Sequence, residues 1–155
     1  MKILVFNKQR FNKFMEYNSI TDENVESKDM MVVSINSIDS VYSYFKKQHS
    51  NVIIMHFGDY TEEDIKNKKS STYVFNEYKA KKLYEFIKRN KDKSIAILHC
   101  AGGISRSYSI GLFIYDFFND KKNNIIKHSS LCSLNYHIFK LLKEQYYLDH
   151  HIFYL

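Results

Sequence analysis

Apolar positions fall into two rhythms along this chain, and their alternation predicts an α/β architecture. Short unbroken apolar runs mark buried strands at Lys2 to Phe6, Met30 to Ile35, Val52 to Phe57 and Ser94 to Leu98. Helical spacing sets the other rhythm. Phe11, Phe14 and Met15 share a face within Gln9 to Tyr17, as do Ala80, Leu83, Phe86 and Ile87 within Asn76 to Arg89. Ile138, Leu141 and Leu142 do the same within Leu134 to Tyr146, and Val41, Tyr44 and Phe45 predict a helix over Ile38 to Lys47. Ser107 to Phe118 is apolar nearly all round, as a buried helix is. Thr61 to Ser71 is polar and reads as a loop, in which Thr61 can cap a short helical turn with Asp64 three residues on.

Strands that alternate with helices predict a central, mostly parallel sheet flanked by helices on both faces, with Ser94 to Leu98 as its central strand. At 155 residues, and with no internal repeat, the chain is expected to form a single domain over 1–155.

Composition narrows the picture. A hydrophobic fraction of 45% supports a sizeable core, and 13 Tyr imply many rings packed with their hydroxyls wet. The net charge of +6 suits acidic substrates such as phosphoesters, and nucleic acid. The basic runs at Lys66-Asn67-Lys68-Lys69 and Lys121-Lys122 read as solvated surface. Two cysteines make no disulfide framework, the opening apolar run is too short for a signal peptide, and no stretch approaches the ~20 apolar residues of a membrane span. A cytoplasmic protein without membrane contact is therefore expected. His128, His137, His150 and His151 form no metal-ligand pattern. Cys132 is expected as a core thiol, with a protective disulfide to Cys100 as the alternative, and the aromatic tail from Tyr146 to Leu155 is expected to pack on the domain.

The chemistry concentrates in His99-Cys100-Ala101-Gly102-Gly103-Ile104-Ser105-Arg106-Ser107, between the central strand and the most buried helix. Ligands of open α/β sheets bind beyond the carboxyl ends of strands. A loop that feeds a helix N-terminus there offers backbone N–H groups to an anion. Two of the chain's 4 glycines, Gly102 and Gly103, allow that loop to turn tightly. Five residues separate Cys100 from Arg106, so the sulfur can lie at the base of a cradle formed by Ala101, Gly102, Gly103, Ile104 and Ser105 while the guanidinium folds over its rim. A guanidinium holds two phosphate oxygens at once, and the same positive field stabilises a thiolate. Ser107 is placed to donate a hydrogen bond to the sulfur, and His99 to orient the loop.

This string resembles the His-Cys-x-x-Gly-x-x-Arg-Ser/Thr signature of the protein tyrosine phosphatases, with His99, Cys100, Gly103, Arg106 and Ser107 matching every fixed position. Ser105 and Ser107 make it most similar to the dual-specificity branch, and the length and layout resemble small bacterial, phage and viral members. The likeness extends more weakly from Met30 to about Tyr146. Leu134-Asn135 resembles the family's Pro-Asn before the last helix, without the proline. The resemblance implies the cysteine-phosphatase fold, no metal or cofactor, and a two-step reaction through a phosphocysteine. Cys100 is then the nucleophile, Arg106 the phosphate ligand, and an Asp the general acid and later base. Asp59, directly after the strand Val52 to Phe57, is preferred to Asp64 in that role. The Trp-Pro-Asp form of the classical tyrosine-specific enzymes is absent. The implied substrate is a phosphorylated protein. The alternatives are an RNA 5′-phosphatase of related fold and a phospho-binding pseudophosphatase.

Overall fold

A computed structural model describes residues 1–67, 73–118, 124–127 and 131–152. Lys68, Lys69, Lys121, Lys122, His128 and the last three residues of the tail lie outside the described residues.

The chain runs β1 (Lys2–Asn7), α1 (Lys8–Tyr17), a single 3₁₀ turn (Val25–Ser27), β2 (Met30–Asn36), β3 (Val52–His56), α2 (Glu62–Lys66), α3 (Glu77–Arg89), β4 (Ile95–Cys100), α4 (Arg106–Phe117), β5 (Ile125–Lys127) and α5 (Tyr136–Asp149). All five strands are parallel, in the order β3-β2-β4-β1-β5. The expected mostly parallel sheet is thus fully parallel, and β4 is central. β5 is a short edge strand that the sequence pattern did not single out.

Side chains alternate across the strands and build two cores. Ile3, Val5, Val33, Ile35, Ala96, Leu98 and Cys100 join the apolar stripes of α3, α4 and α5 on one face. Leu4, Phe6, Val32 and Ile97 join Phe11 and Met15 of α1, with Phe45, on the other. Helices therefore lie on both faces, with three on one and α1 on the other.

The stretch Ile38 to Lys47 forms no helix but a run of turns and bends. The Ser40 amide bonds the Ser37 carbonyl, and the Ser40 hydroxyl donates to the Tyr42 carbonyl at 2.9 Å. Serines at 37, 40 and 43 offer the backbone such local alternatives to a helical ladder. The apolar face that predicted a helix is split: Phe45 is fully buried, whereas Val41 is fully exposed. Thr61 does cap the short helix α2, in a reciprocal capping box with Asp64. No helix among the described residues is long and apolar enough to cross a membrane.

The sheet order fixes where a ligand can sit. The chain leaves β1 into α1 on one face, and leaves the neighbouring β4 into α4 on the other. A crevice opens between the carboxyl ends of two adjacent strands whose connections diverge in this way. The residues that follow β4 at that point are the Cys100 loop.

Candidate active site

Gly103 is the hinge of the loop. Its φ of +66° lies in the left-handed region, and a Cβ there would stand 2.6 Å from the Asn7 nitrogen and the Phe6 carbonyl carbon. Only glycine lets the loop press against the end of β1. The Lys8 amide adds a hydrogen bond to the Ala101 carbonyl at 3.3 Å, and the Ser133 amide one to the Ile104 carbonyl at 3.0 Å. These bonds consume loop carbonyls. Among the described residues, the amides of Gly102, Gly103, Ile104, Ser105 and Arg106 donate to no other group. Ser105 sits at the N-cap of α4 without capping it, because its hydroxyl donates to Asp59 Oδ1 at 2.9 Å instead. A row of free amides ahead of an uncapped helix N-terminus is a cradle for an anion.

Cys100 ends β4, is 3% exposed, and holds its sulfur 3.1 Å from the Ser107 hydroxyl. Arg106 is the first residue of α4 and only 7% exposed. One terminal nitrogen, Nη1, donates to the Phe57 carbonyl, just past β3, at 2.7 Å, which anchors the guanidinium to that strand end. Its Nε is buried without a partner. Orphaned buried donors of this kind are costly unless a ligand satisfies them.

His99 points to the opposite face of the sheet from Cys100, as alternation along a strand requires. Its ring stacks on Phe11 with centroids 4.0 Å apart, and Nε2 pairs with the Ser34 hydroxyl at 2.7 Å. Nδ1 lies against the Cys100 backbone without a full hydrogen bond. Burial, reinforced by the Lys8 and Arg106 charges, pushes this imidazole down to about 3, so it stays neutral and serves as a rigid strut under the loop.

The structure brings Asp59 to the loop and leaves Asp64 away from it. Asp59 Oδ1 accepts from Ser105 Oγ and from Asn135 Nδ2 at 2.8 Å. Asp64 Oδ2 instead accepts the Thr61 amide at 2.8 Å in the α2 cap. Asn135 is the hub of this corner. Its amide nitrogen also reaches the Tyr60 carbonyl at 3.0 Å, its Oδ1 caps α5, and its backbone N–H donates to Ser109 Oγ, which in turn bonds the Ser105 carbonyl. In the sequence, Asn135 stands out only through the likeness of Leu134-Asn135 to the family's Pro-Asn. Ser34, Ser109 and the Phe57 carbonyl carry no local signal, because each matters only through a partner far along the chain.

Cys132 is half-buried rather than the expected core thiol, with its sulfur 3.9 Å from the Gly103 carbonyl. Cys132 and Cys100 are not joined in a disulfide. His137 bonds the Phe75 carbonyl and His150 stacks on Tyr146, so both are structural. No cluster of three His, Cys, Asp or Glu among the described residues is arranged to hold a metal ion. Comparison with protein-family models, with curated proteins and with solved structures returns no match to this chain.

Proposed function

We infer that this chain is a cysteine-dependent phosphatase acting on phosphotyrosine, with phosphoserine and phosphothreonine within its reach. The observation that carries this reading is the row of five unpartnered amides that separates the buried Cys100 thiol from the buried Arg106 guanidinium. Phosphate oxygens satisfy such amides and the Arg106 fork together.

In the first step the Cys100 sulfur forms a bond to phosphorus while the P–O bond to the alcohol or phenol breaks. The departing oxygen takes its proton from Asp59. In the second step Asp59, now ionised, removes a proton from water as that water attacks phosphorus. The S–P bond breaks, inorganic phosphate leaves, and Ser107 stabilises the returning thiolate by its hydrogen bond. Ser105 and Asn135 both bond Asp59 Oδ1, which leaves Oδ2 to carry the transferable proton. The chain's own amides and Arg106 supply the positive charge, so no metal enters either step.

The test is hydrolysis of p-nitrophenyl phosphate, phosphotyrosine peptide, phosphoserine peptide and 5′-triphosphate RNA, with and without chelator. Cys100→Ser should reduce turnover roughly 10⁴-fold or more while leaving the fold intact. Asp59→Asn should cost 10²–10⁴-fold on esters with poor leaving groups, with little effect on activated ones, and should flatten the basic limb of the pH profile. Undiminished hydrolysis by Cys100→Ser, or activity lost to chelation and restored by metal, overturns the mechanism. Turnover confined to the RNA substrate assigns the site to RNA ends. Binding of phosphopeptide without turnover assigns a pseudophosphatase.

A further inference from the structure

Beside the Cys100 loop lies a hollow of about 410 Å³ lined by Ser37, Ile38, Asp39, Gly58, Tyr60 and Tyr73. Its walls are the segments that leave the carboxyl ends of β2 and β3. Gly58 and Tyr60 flank Asp59, whose carboxylate bonds Ser105 of the loop, so the hollow borders the reaction centre. The Gly58 amide donates to the Tyr73 carbonyl at 2.7 Å and holds the two walls together. The Tyr60 ring rests directly on Gly58, so close that a Cβ there would stand 2.6 Å from it.

Among the described residues the lining has one charge, and it is negative. Asp39 makes no hydrogen bond or ion pair among the described residues. No Lys or Arg among the described residues lines the hollow. The Lys8 ammonium is engaged by Ser40 Oγ and the Tyr42 carbonyl, both at 2.8 Å, and makes no ion pair with Asp39. Two phenol rings complete the walls, and Tyr73 is 40% exposed. An uncommitted carboxylate with two aromatic rings matches an ammonium or guanidinium, through ion pairing and cation–π attraction. The same chain already sets cations on a tyrosine, with Lys8 and Lys46 at 5.6 and 4.6 Å from the Tyr42 centroid. A second phosphate would face the Asp39 carboxylate, with no cation among the described lining residues to receive it.

We propose that this hollow is a cation subsite that receives a Lys or Arg side chain next to the phosphorylated residue, so that the substrate class is a phosphopeptide with a flanking basic residue. This rests on the phosphatase reading for turnover but not for binding, and the experiment separates the two. A phosphotyrosine peptide series carries Lys, norleucine or Glu at each position from three before to three after the phosphotyrosine. It is measured as kcat/KM with the wild type and as Kd with Cys100→Ser. Lys should improve both over norleucine by about tenfold at one position, chiefly through KM. Asp39→Asn should remove the preference and Asp39→Lys should invert it toward Glu, while p-nitrophenyl phosphate turnover stays unchanged in both variants. Tyr73→Leu should weaken the preference by roughly threefold. A flat series, or a Lys preference that survives Asp39→Lys, overturns the subsite. Tighter binding of 5′-triphosphate RNA than of any peptide, strengthened by Asp39→Lys, overturns it in favour of RNA. If Kd shows the preference while nothing is hydrolysed, the subsite stands and the phosphatase reading falls.

Discussion

On one face of the sheet, α3, α4 and α5 lay regular apolar stripes against alternate strand residues. On the other, α1 shares the face with the irregular stretch from Ser37 to Asn51. The helical face is held chiefly by burial, with Leu83, Ile87, Phe113 and Leu142 essentially inaccessible, and its few polar ties, such as Asp149 of α5 to Tyr84 and Lys88 of α3, lie at its margin. The second face plugs its gap with Phe45 and then ties the stretch down with polar bonds. Asp22 accepts the Lys46 amide and pairs with His49 at 2.7 Å, and the Ser50 amide donates to Glu26 at 3.0 Å. Asn51 donates to the Val25 and Met30 carbonyls. A helix satisfies its own backbone and needs only an apolar stripe, whereas an irregular segment must find a partner for each buried polar group. The site straddles this divide: Cys100 belongs to the helical face and its neighbour His99 to the other.

Truncation on either face should produce the largest change and separate the two. Leu83→Ala should cost about 2–5 kcal/mol and Phe11→Ala about 3–5 kcal/mol in urea unfolding. Their activities should diverge. Phe11 supports His99 and through it the loop, so on the proposed phosphatase reading Phe11→Ala should lower kcat roughly tenfold or more, while Leu83→Ala leaves the folded protein within about twofold of wild type. Equal kcat losses would show that the two faces do not differ in their hold on the site.

A smaller effect should appear with pH. His99 is held neutral in the fold, with its pKa pushed from 6.5 down to about 3. Between those values the unfolded chain binds a proton that the folded chain refuses. Stability is therefore full above about pH 6.5 and falls as pH drops toward 3, by up to ~1.4 kcal/mol per pH unit. In His99→Gln, unfolding free energies at pH 7, 5.5 and 4.5 should lose that component of the slope. An unchanged slope would place the acid sensitivity elsewhere.

The smallest expected change is local to the second face. Burial works to raise the Asp22 pKa, but the His49 hydrogen bond and the Lys46 amide outweigh it and hold the carboxyl below its usual range. Its contribution is thus fully present above the ordinary value of 3.8 and is lost as pH falls from there through the lowered value. Asp22→Asn should cost about 1 kcal/mol at pH 7 and speed amide exchange over residues 44–51. Exchange that accelerates equally in α3 and α4 would mean that the stretch is not an independent unit.

These contrasts follow the line between what was legible in the sequence and what was not. The helical face was legible because a stripe such as Ala80, Leu83, Phe86 and Ile87 is a local pattern that dictates its own partner surface. The stretch from Ile38 to Lys47 misled for the same reason: Val41, Tyr44 and Phe45 have helical spacing, but serine-to-backbone bonds and the Phe45 anchor outcompete the ladder. β5 is only 3 residues long, too short to show a period.

The sequence by itself determined the α/β alternation, the central strand that leads into the Cys100 loop, and the Cys100-to-Arg106 string with its paired glycines. Those features depend on near neighbours and on backbone freedom, which are written residue by residue. Only the tertiary structure decided which partners the string meets. It set β1 against Gly103, the Phe57 carbonyl against Arg106, Ser34 and Phe11 against His99, and Asp59 rather than Asp64 against Ser105. Each of these pairs lies tens of residues apart in the chain, and no local pattern encodes a contact that exists only once the parallel sheet has been assembled.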